Sequence, residues 1–243
     1  MEENFLNLCD RQYDKEFDKN TLLERYPWVG CNFAKSSCRP LILGDSHYAT
    51  NEDGSTSDEE YKNFKDNKDS TRDVINTVIA NKCKGENTWN MFDGLLKTFI
   101  DVSPDNVKDF WSKVAFYNFI QEPMKKADEI PSDEDKGKGW ECLAGVIKVL
   151  HPTSILIVGV RNDCCSDRIN GDDIKLEDFK DDIDEKKINN CAPRIGNIKF
   201  GNDIIPLTMI KHTSQRYSYN EWKNYLRIRD SQMMDYLSSN QSK

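Results

Sequence analysis

Residues Leu41–Gly44 are apolar at every position and stop abruptly on a glycine. A strand with no polar face must be buried on both sides, which occurs where helices cover a parallel or mixed sheet. Ile155–Val160 is a second such run, and Val114–Tyr117 and Ile204–Ile210 add two more β-rich segments. Helical patterns fall between them, at about 57–65, 69–80, 90–100 and 104–111. The clearest is Trp140–Leu150, where Trp140, Leu143, Val146, Ile147 and Leu150 recur at three- and four-residue spacing. Strands alternating with helices predict an α/β fold, a three-layer α/β/α sandwich around a central, mainly parallel sheet. The 243 residues suit a single domain, 1–243, and no repeat or linker divides them.

Local patterns extend this outline. Residues 1–26 read as a helical N-terminal extension with Phe5, Leu6, Tyr13, Phe17 and Leu22 as its apolar positions, and the polar stretch from Asn118 to Gly139 reads as irregular. Residues 163–190 read as an acidic, partly helical excursion. Arg194–Phe200 and Asp203–Ile210 form a hairpin turning at Gly201–Asn202, and Tyr219–Leu237 is a closing helix capped by Asn220.

A net charge of −8 argues against whole-molecule attraction to nucleic acid, yet the acid is concentrated in Asn51–Asp69 and Asp163–Lys187. Lys199, Lys211, Arg216, Lys223, Arg227 and Arg229 leave a basic C-terminal part. No apolar run is long enough to span a bilayer, and MEENFLNLCD lacks the order of a signal peptide, so the expectation is a cytoplasmic protein without membrane association. The eight cysteines include no C-x-x-C pair, and reduced thiols are expected.

Functional groups in open α/β sheets collect at the carboxyl ends of strands. Three apolar runs here release polar residues at such ends: Asp45, Ser46, His47 and Tyr48 after Gly44; Asn118 after Tyr117; and Lys211, His212, Thr213, Ser214 and Arg216 after Ile210. Asp45 is a candidate general base, or else a cap for the next turn or helix. Asn118 carries a donor and an acceptor suited to a nucleobase edge, or else forms a turn. His212 can stabilise negative charge on a leaving group. Adjacent Ser46 and His47 diverge along an extended chain, and no G-x-S-x-G elbow accompanies them. A metal hydrolase built on Asp45, His47 and His212 would require the fold to bring them together.

In this order the segments resemble the uracil-DNA glycosylase-like superfamily. Gly44-Asp45-Ser46-His47-Tyr48 is similar to its G-Q-D-P-Y-H or G-E-x-P-G motif, Phe116–Asn118 to its strand ending in asparagine, Trp140–Gly159 to the helix and strand that come next in it, and His212-Thr213-Ser214 to its H-P-S loop. The resemblance spans residues 38–225. It implies a uracil-DNA glycosylase-like fold, DNA or a nucleobase-containing ligand as partner, and hydrolysis of the N-glycosidic bond of a flipped, damaged or deaminated base. Asp45 and His212 would be catalytic, and Asn118, Tyr48, Ser46 and His47 would surround the base. Thr213, Ser214 and Arg216 would meet the DNA backbone, and Trp89 or Phe92 would supply a stacking ring. Ser46 stands where one branch carries its aspartate base, while Asp45 matches the acidic residue of the other. Some branches hold an iron–sulfur cluster; with only Cys142 near a cluster position, no metal or other cofactor is expected. The alternative implied is a catalytically silent binding module on the same fold.

Overall fold

The computed structural model describes residues 4–48, 57–126, 129–182, 187–214 and 216–239. Its centre is a seven-stranded mixed sheet in the order β1-β3-β2-β4-β7-β6-β5. The strands are β1 (Trp28–Val29), β2 (Pro40–Tyr48), β3 (Ala115–Met124), β4 (Ser154–Val158), β5 (Ile174–Asp181), β6 (Arg194–Phe200) and β7 (Asp203–Ile210). The four central strands, β3-β2-β4-β7, run parallel, and β1, β6 and β5 add antiparallel edges.

Alternation along the central strands divides the core in two. Leu41, Leu43, Tyr117, Ile155, Ile157 and Met209 face one cluster, while Ile42, Phe116, Leu156, Val158 and Ile210 face the other. This is the two-residue period of a sheet buried on both faces. The second cluster is completed by α3 (Ser70–Cys83), α4 (Asn90–Phe99), α5 (Pro104–Lys113), α7 (Tyr219–Arg229) and α8 (Ser231–Ser238). The first is covered by α6 (Asp133–Leu150) and by Phe17, Leu23 and Phe33 of the N-terminal segment. Pro206 is tolerated in β7 because pairing with β4 starts only at Leu207, so the missing N–H falls where that ladder has ended.

Four expectations are corrected. Residues 1–26 are not one helix: described from residue 4, they hold a 3₁₀ turn at Leu6–Leu8 and the single-turn α1 (Asp14–Phe17). Phe5 and Leu6 pack on one core and Phe17 and Leu22 on the other, which no single amphipathic stripe could do. The acidic excursion supplies a 3₁₀ turn at Ser166–Ile169 and edge strand β5, whose charged side chains discourage further pairing. Residues 133–139 are helical, because Ser132 and Asp135 form a capping box at the start of α6. The closing helix breaks at Asp230, whose carboxylate accepts from the Met233 N–H and starts α8, while Ser218, not Asn220, stands at the N-cap of α7. The helix expected near 57–65 is α2 (Asp58–Asp66), the hairpin turns at Gly201, and most of the polar, acidic stretch 49–58 lies outside the described residues.

The N-terminal segment is pinned by a buried cation. Arg72 on α3 is fully buried, pairs with Asp14 at 2.5 Å and Asp69 at 2.9 Å, and donates to the Pro27 carbonyl at 3.1 Å. Removing one partner of such a pair leaves the other charge uncompensated. Asp14 and Asp69 are partly exposed and can be resolvated, so Arg72→Ala should lower unfolding free energy by about 1–3 kcal/mol in a urea titration; an unchanged stability would contradict the role of this pin.

Candidate functional site

Strand β4 is short, and this creates the cleft. Its pairing with β2 covers only Pro40–Leu43, whereas β2 continues beside β3 as far as Tyr48. From Gly44 onward one edge of β2 is therefore open, and Asp45–Tyr48 continue the strand that the apolar run alone would end at Gly44. Asn118 likewise lies within β3, paired in register with Gly44. The opening sits between β2 and β4, where the chain reverses its direction of winding, the usual position for ligands in open α/β sheets. It leads into a cleft of about 1440 Å³, above the roughly 300–1,000 Å³ of ordinary small-molecule pockets.

Asn118 is the best-defined group in this cleft. It is 7% exposed, and its amide oxygen is buried with no hydrogen-bond partner. The amide crosses β2 at Gly44, where an added Cβ would overlap Oδ1 and stand 3.0 Å from the Phe116 ring. Gln121 donates from Nε2 to the Asn118 carbonyl at 2.7 Å and accepts the Glu24 and Arg25 N–H groups. The N-terminal segment thus braces β3 behind the amide. Ser46, also lining the cleft, has a second buried oxygen without a partner. Such atoms cost roughly 1–3 kcal/mol each when left unsatisfied, and both lie within one wall of the cleft, closed to solvent as the side chains stand.

Asp45 is held from the other side. Asn162 donates from Nδ2 to Asp45 Oδ1 at 2.7 Å. Gly159, at φ 138°, turns the chain after β4 in a conformation that favours glycine. Asn162 then donates its N–H to the Gly159 carbonyl, and its own carbonyl accepts the Trp140 indole N–H at 2.9 Å. Sequence reasoning passed over Asn162 and Gln121. The only signal for Asn162 was a polar residue three positions after a strand-ending glycine.

His212 enters from the end of β7. Its Nδ1 accepts the Ser214 N–H at 3.3 Å and lies 2.7 Å from the Ser214 hydroxyl. A backbone N–H can only donate, so Nδ1 is unprotonated and the neutral ring carries its proton on Nε2. Burial lowers the His212 pKa, with the nearby Asp45 carboxylate pulling weakly the other way, so the ring is neutral at pH 7.

The remaining sequence candidates divide. Tyr48 at 40% exposure, Ser214 and Arg216 line the cleft, as do Trp89 and Phe92. Thr213 does not: it is buried, donates to the Met91 carbonyl at 2.6 Å and packs on Gly94, so it anchors the loop. His47 reaches the cleft wall but is 5% exposed, lies 3.1 Å from the Thr71 hydroxyl and meets the Phe64 ring edge-on. Burial, reinforced by the Arg25 guanidinium, lowers its pKa to about 3. His151 caps α6 outside the cleft. Of the basic residues, Lys211 and Arg216 line the cleft with Arg161, Lys223 does not, and Arg194 is already paired with Asp163 and Asp181.

No group of three His, Cys, Asp or Glu among the described residues is placed to hold a metal ion. No helix among them is long and apolar enough to cross a membrane, and no disulfide joins any of the eight cysteines, all described. No protein-family model matches the chain, and no curated protein matches it.

Gly44→Ala should destabilise the fold by about 1–3 kcal/mol through overpacking on Asn118. Asn118→Ala added to it should restore part of that loss in a double-mutant cycle, whereas strict additivity would contradict the close approach. His47 gives a pH signature. Its folded-state pKa of about 3 lies below the ordinary 6.5, so the unfolded chain takes up the proton first and stability falls as pH drops from 6.5 toward 3. The loss from this group should reach about 2 kcal/mol at pH 5. His47→Gln should flatten the denaturation profile between pH 7 and 5 by that amount; an unchanged slope would contradict the burial of a neutral ring.

Proposed function

We propose that the cleft binds a nucleobase flipped out of a nucleic acid and that the chain hydrolyses its N-glycosidic bond, in the manner of the uracil-DNA glycosylase-like proteins that it resembles. The observation that carries this reading is the Asn118 amide, buried across Gly44 with an oxygen lacking any partner, in the same cleft as Asp45 and His212. The order of the four parallel strands supports it, since it brings the three motif segments to one end of the sheet.

The chemistry rests on the groups present. Asn118 offers an acceptor and a donor to the base edge. Phe116 and Phe92 form an apolar floor, and Tyr48 stands at the rim. Breaking the bond between the sugar C1′ and the base nitrogen leaves negative charge on the base, which the His212 Nε2–H can stabilise as a neutral donor. Asp45, fixed through Oδ1, keeps Oδ2 to orient a water toward C1′. The products are a free base and an abasic sugar. Ser214 and Arg216 suit contacts to the sugar-phosphate backbone.

A second reading, a binding module without turnover, has one specific point in its favour. Ser46 takes the place of the carboxylate found in one branch of the resembling proteins, and the carboxylate here already gives one oxygen to Asn162.

A screen of lesion-bearing oligonucleotides at high enzyme concentration tests both. Base release should fall about 10²–10⁴-fold in Asp45→Asn and about 10²–10³-fold in His212→Ala. With His212 required neutral, the rate should stay level above pH 7 and drop as pH falls through its lowered pKa. Binding that survives Asp45→Asn, with no release by the wild type from any lesion, would establish the module instead.

A further inference from the structure

We infer that Trp89 is a stacking platform for an unpaired base next to the one held at Asn118, which makes single-stranded nucleic acid the substrate class of this cleft. The inference rests on the nucleobase reading above.

Of the five tryptophans, Trp28, Trp111, Trp140 and Trp222 are completely buried, whereas Trp89 is 52% exposed. Packing does not account for it. Its ring meets Phe92, at 6.1 Å and 63° between planes, and Phe92 meets Phe116 at 5.5 Å. Phe116 lies under Gly44, where Asn118 crosses. A ladder of rings therefore runs from the exposed indole at the lip to the amide, in a cleft with room for more than one base. Stacking needs an open π-face, which a duplex hides and a single strand offers.

Charge favours the same class. Arg161 and Arg216 are exposed on the cleft wall and Lys211 is half-buried there, while Arg194 is neutralised by Asp163 and Asp181. Arg161, Arg216 and Lys211, in a chain of net charge −8, fall short of the roughly 6–10 phosphate contacts of strong duplex binders. On a single strand they predict a slope of about −2 for log affinity against log salt.

The test uses the full chain with one single-stranded DNA oligonucleotide, its duplex and the matching RNA, monitored by tryptophan emission and anisotropy. Single strands should quench the emission, which loses its exposed component in Trp89→Phe. Trp89→Ala should weaken single-strand binding roughly 5- to 150-fold while leaving duplex binding unchanged, and Trp89→Phe should retain most of the affinity. Quenching by either single strand supports the platform, and the stronger identifies the polymer. Equal quenching by duplex, or unchanged single-strand affinity in Trp89→Ala, overturns it. Base release that persists alongside unchanged affinity overturns this inference alone. Trp89-dependent quenching without base release from any strand overturns the glycosylase chemistry alone.

Discussion

Asn118 lies across strand β2 because Gly44 presents no Cβ to the amide. This approach couples two strands side chain to backbone, at the register position where β4 has ceased to cover the other edge of β2. The amide oxygen is left without a protein partner, while Gln121, Glu24 and Arg25 fix its backbone from behind. A rigid, desolvated and unsatisfied acceptor is poorly suited to a core. In a cleft it is suited to recognition, since a ligand lacking the complementary donor leaves it buried and unpaired.

The other two segments are positioned by different devices. Asp45 is oriented by Asn162, which the Trp140 indole and the turn at Gly159 hold in place. His212 is oriented by Ser214 and kept neutral by burial. Thr213 ties the β7 loop to α4 through Met91, so the helix that carries Trp89 at its start is linked to the loop that carries His212. The cleft is thus lined by strand ends and by residues of α2, α3 and α4, while α6 reaches it only through the Trp140–Asn162 brace.

Much of this arrangement was legible in residue order. Apolar runs without a polar face gave the central strands, and their polar followers gave Asp45, Asn118 and His212, which line one cleft. The strand limits were less legible. The apolar run stops at Gly44, yet the neighbouring β3 continues the ladder and carries Ser46 and His47 into a buried wall. The N-terminal segment misled for another reason: its apolar residues dock on opposite faces of the sheet, a tertiary choice that periodicity does not encode. Asn162 and Gln121 escaped notice because nothing in their local sequence distinguishes a bracing amide from a solvated one.

Side-chain NMR of the Asn118 amide and the His212 imidazole, during titration with a single-stranded oligonucleotide bearing deoxyuridine, addresses the convergence of these groups most directly. The two sets of resonances should shift together and saturate at one ligand concentration, with the His212 ring remaining the Nε2–H tautomer. Saturable binding that moves neither residue, or moves one without the other, would contradict a shared nucleobase cleft.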